Sequence, residues 1–115
     1  MLTVYEKPTC STCRKLRELL DERGVAHDRV DYYRAPFTEA SLTAILGQAG
    51  IGPRAALRTR GAVAEDLGVT DDAPHDAALI RLMVEHPDLI QRPLVTDGVR
   101  ALVARPIQRV FELLI

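Results

Sequence analysis

Two cysteines, Cys10 and Cys13, stand three residues apart in "PTCSTCRK", residues 8–15, and the chain has no others. Few kinds of chemistry fit that spacing. A disulfide framework spreads its cysteines to close longer loops. A structural zinc site needs four ligands, and no second CxxC or paired Cys/His cluster follows. What remains is thiol chemistry, in which one cysteine attacks and the second is near enough to answer it.

The neighbouring residues say which cysteine attacks. Residues 2–5 (LTVY) are β-branched and aromatic and predict a strand. From Ser11 to Arg23 the leucines Leu16, Leu19 and Leu20 share one face, and Gly24 follows as a stop. Cys10 therefore meets the unpaired N–H groups and positive dipole of a helix start, both of which favour thiolate. Lys7, Arg14 and Lys15 add positive charge. Such settings bring a cysteine pKa from about 8.5 into a range of roughly 3.5–7.5. Cys13 lies one turn on, within disulfide reach where side-chain directions cooperate. Two ordinary buried cysteines could meet by chance, but a strand–CxxC–helix context is specific enough to favour the redox reading.

These residues need a frame. Val25–Tyr33 suggests a second strand. Leu42, Ile45 and Leu46 make a helical stripe after Thr38, with Ser41 three residues on as a weak cap and Gly47 and Gly50 as its end. Residues 53–67 read as short helical pieces. "DDAPHDAALIRLMVEHP" predicts a helix, acidic at its start and closed by His86-Pro87. "RPLVTDGVRALVARP" alternates around Asp97-Gly98 and predicts a hairpin. Pro106 opens a last helix with Val110, Phe111 and Leu114 on one face. This order implies an α/β fold: a thioredoxin/glutaredoxin-like mixed four-stranded sheet flanked by helices, with a helical insertion in the middle.

Arginines supply a second theme. Arg58, Arg92 and Arg105 each lie near a turn or an element end, where side chains can converge. Taken singly, each reads more readily as a solvated surface charge than as a site residue. A small neutral disulfide needs no cluster of cations, whereas an oxyanion meeting a thiolate does. Pro93 precedes the third strand, where thioredoxin-like folds hold a cis-proline against the active cysteine, and this would bring Arg92 beside the thiol. The scattered histidines, His27, His75 and His86, read as surface or capping groups.

Composition narrows the classes. At 115 residues, 47% apolar and 27% charged, the chain fits one domain spanning 1–115. A net charge of −1 offers no broad basic surface for nucleic acid. "MLTVYEKP" has neither the basic start nor the apolar core of a signal peptide, and no apolar run nears the roughly 20 residues that span a bilayer. The expectation is a cytoplasmic protein with no nucleic-acid or membrane partner.

The sequence resembles the arsenate reductase family of the glutaredoxin-linked type, which includes the Spx regulators. The likeness runs over essentially the whole chain and rests on "PTCSTCRK", "RAALR" (54–58), "EHPDLIQRPLV" (85–95) and "ARP" (104–106). It implies Cys10 as nucleophile, Arg58, Arg92 and Arg105 as oxyanion ligands, and Pro93 in cis. It also implies arsenate as substrate, glutathione/glutaredoxin or thioredoxin as reductant, and no metal, flavin or nucleotide cofactor. Cys13, where single-thiol members have another residue, is the candidate resolving thiol. Some members carry an activating histidine where this chain has "YEKP", and here Glu6 is expected to oppose thiolate formation.

Two other readings are compatible with parts of this pattern. An Spx-type regulator that binds RNA polymerase shares the CxxC, Gly52, Arg60 and Arg92-Pro93, but is not expected to keep arginines at both 58 and 105. A general thiol–disulfide reductase would need no arginine triad.

Overall fold

The computed structural model describes residues 1–70, 72 and 74–115. Strand β1 (Leu2–Glu6) leads into helix α1 (Ser11–Glu22), and strand β2 (His27–Asp31) returns parallel to β1. Helix α2 (Glu39–Ala49), a 3-10 turn at Pro53–Ala56, the short helix α3 (Val63–Asp66) and helix α4 (Asp76–Glu85) form the helical insertion. A second 3-10 turn, Pro87–Leu89, brings the chain to β3 (Leu94–Thr96), which runs antiparallel to β1. Strand β4 (Ala101–Val103) pairs with β3, and a 3-10 helix, Ile107–Leu113, follows. The sheet order is β2-β1-β3-β4, the mixed thioredoxin-like arrangement expected above.

The strand period of two divides the core between the faces of this sheet. Leu2, Val4, Val95 and Leu102 pack on one side with Leu16 and Leu20 of α1 and with Val110 and Leu113. Leu94 and Ala101, their neighbours in sequence, face the other side, with Leu42, Ile45 and Leu46 of α2 and Leu79 and Met83 of α4. Tyr32 and Phe37 complete this second cluster, their rings 5.7 Å apart. One face thus buries the stripe of α1 with the C-terminal 3-10 helix, and the other the stripes of α2 and α4.

Helix ends follow local chemistry. Thr38 and Ser41 form a reciprocal capping box on α2, and Gly50 closes that helix at φ 67, a left-handed conformation suited to glycine. Gly47 lies inside α2 instead of ending it. Asp97 and Gly98 sit in the β3–β4 connection, where the Asp97 carboxylate accepts from the N–H groups of Val99 and Arg100 at 2.8 and 2.7 Å. Asp71 and Ala73, in the acidic lead-in to α4, lie outside the described residues.

One element differs from expectation. The last helix is 3-10, so side chains three apart eclipse, and the buried pair is Val110 and Leu113 while Leu114 is exposed. Among the described residues no helix is long and apolar enough to cross a membrane.

Candidate active site

The turn after β1 presents Cys10. Its N–H donates to the Lys7 carbonyl at 2.9 Å, and its backbone is extended (φ −76, ψ 124), the conformation of a helix N-cap. The sulfur sits where a serine or aspartate oxygen would cap α1, accepting the Cys13 N–H at 3.4 Å. No acidic residue occupies the first turn of α1, so the positive end of the helix is left to the thiol and to whatever enters beside it.

Cys13, at the third helical position, falls on the face that carries Leu16 and Leu20 and is completely buried. The two thiols therefore diverge. Burial works against the Cys10 thiolate, but the Cys13 thiol and N–H and the Arg92 guanidinium outweigh it and bring the pKa below the ordinary 9.0. Burial pushes Cys13 up to about 12, helped by its hydrogen bond to Cys10 and by the charges of Cys10 and Glu6.

The arginines reach the thiol by a route that only tertiary pairing creates. Leu57 and Ile90 form an isolated antiparallel bridge. Around it the Arg58 N–H donates to the Leu89 carbonyl at 2.7 Å, and the Gln91 N–H to the Ala56 carbonyl at 2.8 Å. Residues 56–58 are thereby stitched to 89–91, and Arg58 comes alongside Arg92. Arg105 follows β4 and donates from Nη1 to the Arg92 carbonyl at 3.0 Å. Both Arg92-Pro93 and Arg105-Pro106 are cis. The result is a pocket of about 160 Å³ lined by Cys10, Ser11 and Thr12 together with Arg58, Arg60, Arg92 and Arg105.

Arg92 is the buried member, 7% exposed, and contacts the Cys10 thiol as well as Tyr32. Its Nη1 donates to the Tyr33 hydroxyl at 3.1 Å and lies 3.8 Å from the Asp88 carboxylate. Arg58 donates from Nη1 to the Arg60 carbonyl at 3.1 Å.

Other charges fall differently from the sequence expectation. Arg14 and Lys15 lie on the exposed side of α1, in a separate groove with Ser11 and Glu18. Lys7 stands over the Tyr33 ring, 4.9 Å from its centroid, and 3.8 Å from Asp88. Glu6 is buried and bound by Arg29 of β2, and the thiol its charge raises is that of Cys13. The cation in contact with Cys10 is thus Arg92, a residue far away in sequence. Sequence reasoning missed Arg60 as a lining residue, although it follows Arg58 by two in non-helical chain, where alternate side chains can share a side. It also missed Ser11, Thr12, Tyr33 and Asp88.

A helix-capping thiol beside a mixed sheet and inside a pocket of guanidinium groups defines a thioredoxin-like thiol protein whose pocket suits a small oxyanion. The ArsC family model matches residues 5–113, and the chain belongs to that family. It is 33% identical over 113 residues to an arsenate reductase of Rhizobium meliloti (strain 1021), covering 98% of this chain and 81% of that protein. An arsenate reductase of Escherichia coli (strain K12) is 34% identical, with 98% and 80% covered. Among solved structures, arsenate reductase from Vibrio cholerae superposes with a TM-score of 0.90 at 31% identity, covering 96% of this chain and 95% of that one.

Proposed function

We propose that residues 1–115 form one thioredoxin-like domain that reduces arsenate to arsenite in the cytoplasm, with Cys10 as nucleophile. The observation that carries this reading is that Cys10 and four arginines line one pocket of about 160 Å³ at a helix N-terminus. An arsenate anion and a thiolate repel each other. Guanidinium groups and helix N–H groups offset that repulsion and bind the charge that develops on the oxygens.

In this mechanism the Cys10 thiolate attacks arsenic(V), an As–O bond breaks, and the oxygen leaves as water after protonation. Arg58, Arg92 and Arg105 hold the remaining oxygens, with Arg60 at the rim. A second thiol then attacks the Cys10 sulfur. The S–As bonding pair stays with arsenic, which leaves as arsenic(III), and the two sulfurs become a disulfide. The resolving role of Cys13 is supported by its position one turn from Cys10 and its hydrogen bond to it. Part of the upward push on its pKa comes from the Cys10 charge, and that part disappears once Cys10 carries arsenic. The Cys10–Cys13 disulfide is then reduced by thioredoxin, while glutathione with glutaredoxin is the alternative reductant and would attack the adduct directly.

Arginines at both 58 and 105 beside the thiol support the reductase over the RNA polymerase-binding regulator. The test is arsenate-dependent NADPH oxidation with the thioredoxin and the glutathione/glutaredoxin systems supplied separately. Turnover with thioredoxin is expected, and no turnover with either system would overturn the reductase reading.

A further inference from the structure

Behind the pocket, Tyr33 and Asp88 meet the buried Arg92, and Lys7 joins the group through Asp88 and the Tyr33 ring. Tyr33 follows β2, Asp88 lies in the 3-10 turn Pro87–Leu89, and Lys7 follows β1. None of them lines the pocket. The Tyr33 hydroxyl donates its single proton to the Asp88 carboxylate, so its oxygen is free to accept from Arg92 Nη1, which it does at 3.1 Å. Asp88 also lies 3.8 Å from Arg92 and 3.8 Å from Lys7, whose ammonium sits over the Tyr33 ring. Arg92 Nε is buried with no partner, so the contacts on the Nη side are the ones that fix the plane of the guanidinium.

A carboxylate near an anion pocket is costly unless it does something for the cations there. We propose that Tyr33 and Asp88 are positioning residues for Arg92: the carboxylate orients the hydroxyl, and the hydroxyl holds the guanidinium toward Cys10 and the oxyanion. The oxyanion half of this statement rests on the reductase reading, whereas the Cys10 half does not. Tyr33 also packs its ring on Tyr32, 5.1 Å between centroids, and that packing is what Phe would retain. Asp88 is held below the usual carboxylate range by the Tyr33 hydrogen bond, against some burial, with Lys7, Arg92 and Arg58 adding to the shift. It is therefore charged at neutral pH and able to hold the proton of its neighbour in place.

The test uses Tyr33→Phe and Asp88→Asn in the full chain, each also placed in an Arg92→Ala background. Two quantities are read: the apparent Cys10 pKa from the pH dependence of alkylation, and KM and kcat for arsenate. The groups acting on Cys10 are Cys13 and Arg92, with Arg58, Arg60 and Arg105 lining the same pocket. Both single variants should raise the Cys10 pKa and raise KM for arsenate about tenfold, the size of one hydrogen bond to a charged group. In the Arg92→Ala background neither should add anything. If Tyr33 serves only packing, Tyr33→Phe leaves both readings at wild type, which overturns the proposal. If Asp88 acts only as a negative charge, Asp88→Asn lowers the Cys10 pKa, which overturns it as well. A raised pKa in a protein that turns over no arsenate retires the reductase reading and keeps the positioning role. Unmoved pKa and KM alongside normal turnover do the reverse.

Discussion

Helices α1 and α2 begin with the same backbone device put to opposite ends. Thr38 caps α2 with its hydroxyl, Ser41 returns the bond to the Thr38 N–H, and Glu39 covers the positive dipole in the first turn. That end is exposed and closed by its own reciprocal cap. Cys10 caps α1 with sulfur at 3.4 Å, nothing answers from the third position but a buried thiol, and no carboxylate covers the dipole. A helix N-terminus completed by its own side chains stabilises the fold. One left incomplete beside arginines favours a thiolate and, in the proposed mechanism, the anion that the thiolate attacks.

Cys10→Ser breaks the comparison most sharply. Serine is a good N-cap, so stability should stay within about 0.5 kcal/mol of wild type, whereas arsenate turnover should be abolished. Thermal melting with steady-state assays reads both, and retained turnover would remove the thiol from its role.

Arg92→Lys comes next. Lysine keeps the charge but not the planar fork that reaches Tyr33 and the pocket together, so kcat/KM should fall on the order of 10²-fold. Unchanged kinetics would demote Arg92 to a structural ion.

Thiol titration gives a gentler test. The thiolate fraction rises with pH, and a lowered pKa moves that rise to lower pH. Cys10 alkylation should therefore pass its midpoint below 9.0, while Cys13, pushed up to about 12, stays unmodified at neutral pH. Equal labelling of both cysteines would contradict the assignment.

Thr38→Ala is the smallest effect and the control from the other helix. It should cost about 1 kcal/mol of stability and leave turnover unchanged. A loss of activity there would mean that α2 capping reaches the site.

The parts of this arrangement legible in the sequence were those set by local rules. An apolar–polar alternation, an amphipathic run after CxxC, and Asp-Gly between two strands gave the elements and the place of Cys10 at a helix start. The glycines were less telling, because Gly50 ends α2 by its left-handed backbone while Gly47 lies inside the helix. What local rules could not reach was the bridge between Leu57 and Ile90, which joins segments 33 residues apart and sets Arg58 beside Arg92. The same is true of Tyr33 and Asp88, polar residues whose use depends on the hydroxyl meeting Arg92. Charges close to Cys10 in sequence misled for a related reason. Arg14 and Lys15 follow the helix rotation to its outer side, and Glu6 turns into the core against Arg29.

The central claim is that Cys10 attacks and Cys13 answers. It is tested most directly by one anaerobic turnover of the reduced chain with arsenate and no other thiol, quenched and read by mass spectrometry alongside arsenite measurement. A Cys10–Cys13 disulfide and one arsenite per chain are expected, with Cys13→Ser halting at an arsenic adduct on Cys10. Arsenate left unreduced with both thiols free, or full thioredoxin-supported turnover in Cys13→Ser, would contradict the claim.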